Sequence, residues 1–206
     1  MRITAVTLIT LENPAAKGRA NILEEVPGLP RIQYRHRGVQ RGQARQSFIE
    51  VQTDEGVSGR CTTTMGAAEV GILRNHVVGA NPLDRERLYQ MFCKGTRWVY
   101  SHPGWSGDFD NCLWDIAGKA AGMPVCDPVG RVRSRFPVYA TAGDASRDEY
   151  LRAIEGLRAF GVKAYKVHTY KGGKADMPIL RGLREAVGDD YVLISDPVCS
   201  YTLREA

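Results

Sequence analysis

The chain has 206 residues, 43% hydrophobic and 25% charged, which are ordinary proportions for a packed globular protein. Its five cysteines are odd in number and lack CxxC spacing, which argues against a disulfide framework or zinc site and favours reduced thiols in the cytoplasm. No apolar run approaches the ~20 residues that span a bilayer, no secretory signal is evident, and the net charge of +5 does not demand nucleic acid.

The N-terminal part predicts strands with a long interruption. Residues 2–12 are rich in β-branched and apolar types, as strands are. Residues 13–46 contain prolines and glycines throughout, which predicts a long irregular segment. At 47–53 apolar and polar residues alternate with the period of a half-buried strand, and 54–56 turn the chain into a partner strand at 57–64.

Five arginines and no acidic residue occur between residues 31 and 45: Arg31, Arg35, Arg37, Arg41 and Arg45. A solvated loop and a rim that contacts an anionic substrate both suit this composition. Nucleic-acid binding suits it least, because the stretch has one tyrosine and no array of aromatic residues on which bases could stack.

Helices are predicted next. Apolar residues at helical spacing indicate a helix around 70–77, and the Asn81–Pro82 pair suits the start of a second helix. The clearest helix covers about 106–121, where apolar side chains form one stripe and Gly122 follows the last turn.

From residue 136 strands and helices alternate. The predicted strands are 136–143, 162–168 and 191–195, of which the last is apolar on both faces, as buried parallel strands are. Ser146 and Glu149 form a capping box that opens one helix, and the Asp176–Met177–Pro178 stretch opens another. This alternation predicts a parallel sheet built from βαβ units.

Ionisable residues follow two of these strands. Lys166 and His168 are two positions apart on one strand and so face the same way, and Asp196 comes directly after the next strand. In β/α barrels the catalytic groups lie at such carboxyl-terminal strand ends. Lysine and histidine beside a bound cation are driven towards their neutral forms, and a carboxylate suits Mg²⁺. Taken singly, each residue also has a structural explanation: a surface lysine, a core histidine and a turn aspartate.

Three stretches carry a resemblance to a known family: LWDIAGKAAGMPV at 113–125, KVH at 166–168 and ISDP at 194–197. The first is similar to the segment that closes the N-terminal capping domain of the mandelate racemase and muconate lactonizing enzyme group of the enolase superfamily. The second resembles that group's Lys-x-Lys or Lys-x-His motif on the second barrel strand. The third resembles the strand that supplies its first metal-binding aspartate.

The resemblance implies an α+β capping domain at 1–125, with an antiparallel sheet and helices, in which residues 13–46 form a mobile specificity loop. Residues 126–206 would hold the first three strands and two helices of a TIM-type β/α barrel. A complete barrel has eight strands, and the family's other metal-binding carboxylates lie on later ones. We therefore expect the barrel to be incomplete in this chain and the 206 residues alone to be inactive.

The implied chemistry is Mg²⁺-dependent removal of the proton α to a carboxylate. Lys166 would contact the substrate carboxylate, His168 would take or return the proton, and Asp196 would be the first Mg²⁺ ligand. The arginine-rich segment suits a polyhydroxy carboxylate as substrate. We expect an acid-sugar (aldonate or aldarate) dehydratase in preference to a racemase or cycloisomerase of the same superfamily, and a homo-oligomer at full length. Position 198 is a valine where many relatives carry asparagine, which puts one substrate contact in doubt.

Two hypotheses from other classes remain at this point. A truncated paralogue without catalytic activity could act as an oligomerisation partner of a full-length enzyme. An unrelated, complete α/β protein could carry a small-molecule site on an open sheet, although neither GxGxxG nor GxxxxGK[ST] is present to suggest nucleotide binding.

Overall fold

The structure is a computed structural model that describes residues 1–25, 34–95, 105–198 and 200–206. Its Cα positions divide the chain into two compact units. One comprises Met1–Arg19 with Gln40–Ser134, and the other comprises Ala20–Val39 with Arg135–Ala206. The division after residue 125 that the resemblance implies stays a prediction.

In the described part of the chain one sheet has the strand order β1 (Ile3–Glu25), β2 (Tyr34–Thr53) and β3 (Ser58–Thr63). Residues 3–19, 40–53 and 58–63 of this sheet belong to the first unit. β2 and β3 are antiparallel, with Gln52 opposite Ser58. The predicted alternation at 47–53 is confirmed, because Ile49 and Val51 are fully buried on one face. The predicted turn and partner strand at 54–64 are confirmed too.

β1 and β2 are much longer than predicted. The irregular segment expected at 13–46 is wrong wherever it is described, since β1 continues to Glu25 and β2 begins at Tyr34, while residues 26–33 lie outside the described chain. The two strands support each other: Glu12 pairs with Arg45 at 2.8 Å. Gly18 permits close approach, because a Cβ there would lie 2.6 Å from two carbonyl oxygens of β2.

The described helices of the first unit are α1 (Ala67–Val77), α2 (Arg85–Gly95), α3 (Gly107–Ala121) and α4 (Cys126–Gly130). The helix predicted at about 106–121 is confirmed, and Gly122 ends it in the left-handed conformation with φ of 64°. The start predicted for α2 at Asn81–Pro82 is wrong. The Asn81 side chain instead accepts the N–H of Leu83 at 3.0 Å, which makes this pair a turn before the helix.

The core of the first unit lies between its sheet and α1–α3. Among the described residues it contains Ile3, Val6, Ile49, Val51, Met65, Val70, Leu73, Val77, Leu88, Phe92, Trp105, Phe109, Cys112, Leu113 and Ile116. Phe92 makes edge-to-face contacts with both Trp105 and Phe109, at ring-centroid distances of 5.4 and 5.9 Å.

The second unit contains β4 (Ala140–Thr141), α5 (Arg147–Arg158), β5 (Ala164–Val167), α6 (Gly173–Val187) and β6 (Val192–Ser195). The strands are parallel and lie in the order β4-β5-β6. Tyr150, Ile154, Tyr165, Val167, Leu183, Val187 and Tyr191 form its core. An antiparallel sheet with helices, followed by a parallel sheet with helices that begins a barrel, confirms the predicted fold class.

Three details of the second unit correct the sequence analysis. β4 has two residues instead of the eight of 136–143. β6 is not buried on both faces, because Val192 is 52% exposed. α6 begins at Gly173, not at Asp176, and Pro178 lies inside it. The Asp176 carboxylate does not cap α6 because it accepts hydrogen bonds from the loop before the helix and is fully buried.

No helix in the described part of the chain is both long and apolar enough to cross a bilayer.

Candidate active site

The side chains of β5 alternate between the core and the opposite face of the sheet. Tyr165 and Val167 are buried in the core that α5 and α6 help to form. Lys166 and His168 therefore project from the other face, where their side chains are 21% and 31% exposed. The predicted common orientation of these two residues agrees with this arrangement.

Asp196 lies beside both residues because β6 pairs with β5. The Asp196 N–H donates to the carbonyl oxygen of Val167 at 3.0 Å, which extends the sheet pairing by one residue. The Lys166 ammonium donates to Asp196 Oδ2 at 2.8 Å, and His168 Nδ1 lies 4.0 Å from the same oxygen. The structure thus brings together the three residues singled out from the sequence.

Lys166 and Asp196 hold each other in their charged forms. The hydrogen bond from Lys166 is the main cause that lowers the pKa of Asp196, and the Val198 N–H, which donates to Oδ1 at 3.3 Å, adds to it. The same hydrogen bond raises the pKa of Lys166. The Lys166 ammonium also lies 5.6 Å from the centroid of the Tyr139 ring. The hydrogen bond to Asp196 favours the cationic form of Lys166, and the neutral form expected beside a bound metal ion stays a prediction.

His168 occupies a different electrostatic position from Lys166. Its Nδ1 is beyond hydrogen-bonding distance of Asp196, and its ring packs edge-to-face on Tyr170 at 5.9 Å between centroids. A cation and an imidazole on one face, at the ends of adjacent parallel strands, can hold an anionic group and exchange a proton with it.

A magnesium ion would find only part of its ligand set in this region. Asp196 offers carboxylate oxygens of the kind that Mg²⁺ prefers. Both of those oxygens accept hydrogen bonds within the protein, and the Lys166 ammonium occupies one of them. The described residues hold no group of three or more His, Cys, Asp or Glu side chains that could bind a metal. The described residues therefore supply only part of a Mg²⁺ ligand set in this region, through Asp196.

A second polar cluster, not expected from the sequence, lies in the loop that follows β5, residues 168–172, here called the β5–α6 loop. The Lys171 ammonium pairs with Asp144 at 2.9 Å. The Thr169 hydroxyl donates to Asp176 at 2.7 Å. One signal was present in the sequence: Asp144 follows Gly143 at the end of the first predicted strand, where barrel proteins place functional groups.

Two of the five clustered arginines have described side chains, Arg41 and Arg45. In the first unit they line a groove of about 430 Å³ together with Lys17, Gly18, Arg19, Gln43 and Ala44. Arg45 is partly neutralised by Glu12. Arg31 and the side chains of Arg35 and Arg37 lie outside the described part of the chain. Contact between this segment and an anionic substrate therefore stays a prediction.

Comparison with known proteins identifies the family. Residues 32–130 match the mandelate racemase / muconate lactonizing enzyme N-terminal domain. The chain is 30% identical over 174 residues to D-galactarolactone cycloisomerase of Agrobacterium fabrum, covering 77% of the chain and 46% of that protein. It is 30% identical over 149 residues to D-galactonate dehydratase of Xanthomonas oryzae pv. oryzae, covering 66% of the chain and 37% of that protein.

Among solved structures the chain is similar to D-glucarate dehydratase from Agrobacterium tumefaciens complexed with magnesium. The TM-score is 0.72 at 25% identity, and the match covers 95% of this chain and 54% of that one. The chain spans half or less of the length of the curated relatives that it matches first. These matches contradict the hypothesis of an unrelated α/β protein, and the chain belongs to the mandelate racemase and muconate lactonizing enzyme group of the enolase superfamily.

Proposed function

We propose that the protein containing this chain removes the proton α to the carboxylate of an acid sugar and acts as a dehydratase. The observation that carries the proposal is the convergence of Lys166, His168 and Asp196 at the ends of two adjacent parallel strands. Relatives that act on D-galactonate and D-glucarate support the choice of an aldonate or aldarate as substrate.

Lys166 binds the substrate carboxylate in this proposal. Its pKa is raised by the hydrogen bond to Asp196, so it is a poor general base and a good partner for an anion. His168 takes or returns the proton, since it projects from the same face and its Nδ1 lies beyond hydrogen-bonding distance of Asp196.

Mg²⁺, with Asp196 as one ligand, would offset the negative charge that develops on the substrate carboxylate. A single carboxylate binds this ion weakly, and the described residues do not supply a further cluster of ligands. We therefore expect the 206 residues alone to show little or no activity. Robust Mg²⁺-dependent turnover by the purified 206-residue polypeptide would contradict this expectation.

A cycloisomerase is the second candidate, because one relative at 30% identity is D-galactarolactone cycloisomerase. Both reactions begin at the carbon next to a carboxyl or lactone carbonyl group, so the same residues serve either one. We further propose that the protein is a homo-oligomer and is located in the cytoplasm. The four described cysteines, Cys61, Cys93, Cys112 and Cys126, are free thiols, which suits a reducing compartment.

The test uses the product of the entire natural gene with Mg²⁺, incubated with a panel of aldonates, aldarates and their lactones. Formation of 2-keto-3-deoxy acids is expected for a dehydratase, and lactone isomerisation without loss of water would favour the cycloisomerase. Exchange of the α-proton in D₂O, followed by ¹H NMR, detects the first step in both cases. Absence of both product formation and exchange with every acid sugar would reject the proposal and leave the non-catalytic paralogue.

Two matched pairs of variants assign the roles. His168→Asn is expected to abolish α-proton exchange, whereas His76→Asn, an exposed histidine of α1, is expected to leave it unchanged. Lys166→Met is expected to raise KM for the acid sugar, whereas Lys163→Met, an exposed lysine just before β5, is not. Exchange that survives His168→Asn would move the proton acceptor to another residue.

A further inference from the structure

The β5–α6 loop, which begins with His168, is anchored by a buried carboxylate. Asp176 lies in the first turn of α6 and has 0% of its surface exposed. Its Oδ1 accepts the Thr169 hydroxyl at 2.7 Å, and its two oxygens accept the Lys171 N–H at 3.2 and 3.1 Å. The Tyr201 hydroxyl donates to Oδ2 at 3.1 Å. A carboxylate without such donors would be very costly to bury.

Two of the donors closely follow His168 in the chain. Thr169 is the next residue and Lys171 comes shortly after it, so Asp176 fixes the backbone immediately after His168. Asp144, in the segment between β4 and α5, also contacts the loop, through the Lys171 ammonium at 2.9 Å. Thr169 Oγ1 also lies 3.3 Å from Asp144, but a hydroxyl has one hydrogen, and the shorter contact to Asp176 takes it.

The Lys171 ammonium forms its ion pair with Asp144 and not with Asp176. Asp176 is thus neutralised by no ammonium or guanidinium in the described contacts, and its support is a set of directional donors. Directional donors fix position more than they add stability, since an apolar side chain of similar size would avoid the burial cost altogether.

We infer that Asp176 is a positioning residue that sets the location of the His168 imidazole relative to Lys166 and Asp196. It acts through Thr169 and Lys171 and touches none of the proposed reacting groups. The catalytic consequence of this inference rests on the proposed function, whereas the structural consequence, the placement of His168, does not.

The variant Asp176→Asn, made in the full-length protein, removes the charge and one acceptor while keeping the size of the side chain. We expect kcat to fall about 100-fold, because a displacement of the order of 1 Å can cost that much. KM should stay within about twofold, since Lys166 is not disturbed. Glu185→Gln, an exposed carboxylate on the same helix, is the matched control and should leave both constants unchanged.

A second pair keeps the test independent of how well Asp176→Asn folds. Thr169→Val removes the hydroxyl with little change of shape and should reproduce the loss of kcat. Thr169→Ser retains the hydroxyl and should restore at least most of the activity. Equal activity of the valine and serine variants would overturn the inference.

Two readouts require no substrate. Hydrogen exchange of the Lys171 amide should accelerate at least about tenfold in Asp176→Asn, because its acceptor is weakened. The His168 ring signals in the NMR spectrum should shift, since that ring packs against Tyr170. An unchanged His168 spectrum with a lowered melting temperature would show a purely structural role and overturn the inference. If no acid sugar reacts, the proposed function fails, and these two readouts still decide whether Asp176 positions His168.

Discussion

Gly59 of β3 lies against the main chain of Cys112 in α3. A Cβ at position 59 would be 2.0 Å from the Cys112 carbonyl oxygen and 3.0 Å from Cγ1 of Ile116. The strand and the helix therefore approach each other more closely here than any residue other than glycine permits. The buried sulfur of Cys112 takes part in the same contact region, since it lies 3.5 Å from the carbonyl oxygen of Ile49.

Gly59→Ala is expected to destabilise the first unit by about 3 kcal/mol, the upper part of the usual range for overpacking, because the obstacle is backbone and cannot rotate away. Chemical denaturation measures the loss. Gly71→Ala is the control: nothing lies within 4 Å of a Cβ at that helical position, so alanine should stabilise by up to about 1 kcal/mol. Equal effects of the two substitutions would contradict the close contact.

The capping box of α5 should contribute measurably to the stability of the second unit. The Glu149 N–H donates to the Ser146 hydroxyl oxygen, and the Ser146 N–H donates to the Glu149 carboxylate at 2.8 Å. Ser146→Ala is expected to cost about 1 kcal/mol of unfolding free energy. Ser134→Ala, at an exposed serine outside any helix, should change it little.

The capping box should also show in the pH dependence. Hydrogen bonds from Ser146 lower the pKa of Glu149 below its ordinary value of 4.5. The stabilisation is therefore present above pH 4.5 and is lost as the pH falls through the lowered folded-state pKa. Unfolding of wild type and Glu149→Gln, compared between pH 7 and pH 3, measures this. A difference between the two proteins that does not shrink on acidification would argue against the assignment.

The free energy of coupling between Lys166 and Asp196 should depend on pH. Asp196 contributes above its ordinary pKa of 3.8 and loses its contribution as the pH falls through the lowered folded-state value. Lys166 contributes below 10.5 and loses its contribution as the pH rises through the raised value. A double-mutant cycle with Lys166→Met and Asp196→Asn should therefore give coupling at pH 7 that decreases as the pH falls below 3.8. Coupling that does not decrease on acidification would contradict the ion pair.

The Tyr150 hydroxyl should lose its proton at a higher pH than an ordinary tyrosine does. Burial is the main cause that raises its pKa from 10.0 to about 12, and its hydroxyl donates to the Gly143 carbonyl oxygen at 3.0 Å. The unfolded chain releases this proton first, so stability falls between pH 10 and pH 12. The absorbance at 295 nm of wild type minus Tyr150→Phe isolates the transition. A midpoint near pH 10 would place the hydroxyl in solvent.

Local signals explain which elements could be predicted. The stripe of α3 and the capping box of α5 are each complete within one stretch of chain, and both predictions are confirmed. The extended β1 and β2 depend on each other instead. The side chains of Thr10 and Ser47 are 3.0 Å apart although the two residues are separated by 37 positions in the sequence. Without knowledge of the partner strand, the prolines and glycines of either strand therefore predict a loop.

In the candidate site, too, the residues marked by a local sequence pattern could be predicted and the others could not. Strand periodicity alone placed Lys166 and His168 on one face, and the βαβ order placed Asp196 nearby. Asp176 was interpreted as a helix start, because an aspartate before Met177 and Pro178 has the same appearance whether its side chain caps a helix or lies buried. Its partners, Thr169 and Tyr201, are polar residues with no local pattern that links them to it.

Val198 has a backbone conformation that other residue types adopt more readily than valine does. Its φ is 50°, in the left-handed region where a β-branched side chain is strained, and its N–H bonds the Asp196 carboxylate that holds Lys166. Glycine or asparagine adopts this conformation with less strain. A selection for thermal tolerance should therefore enrich substitutions at 198, so the candidate site itself contains a position at which this sequence is not optimised for stability.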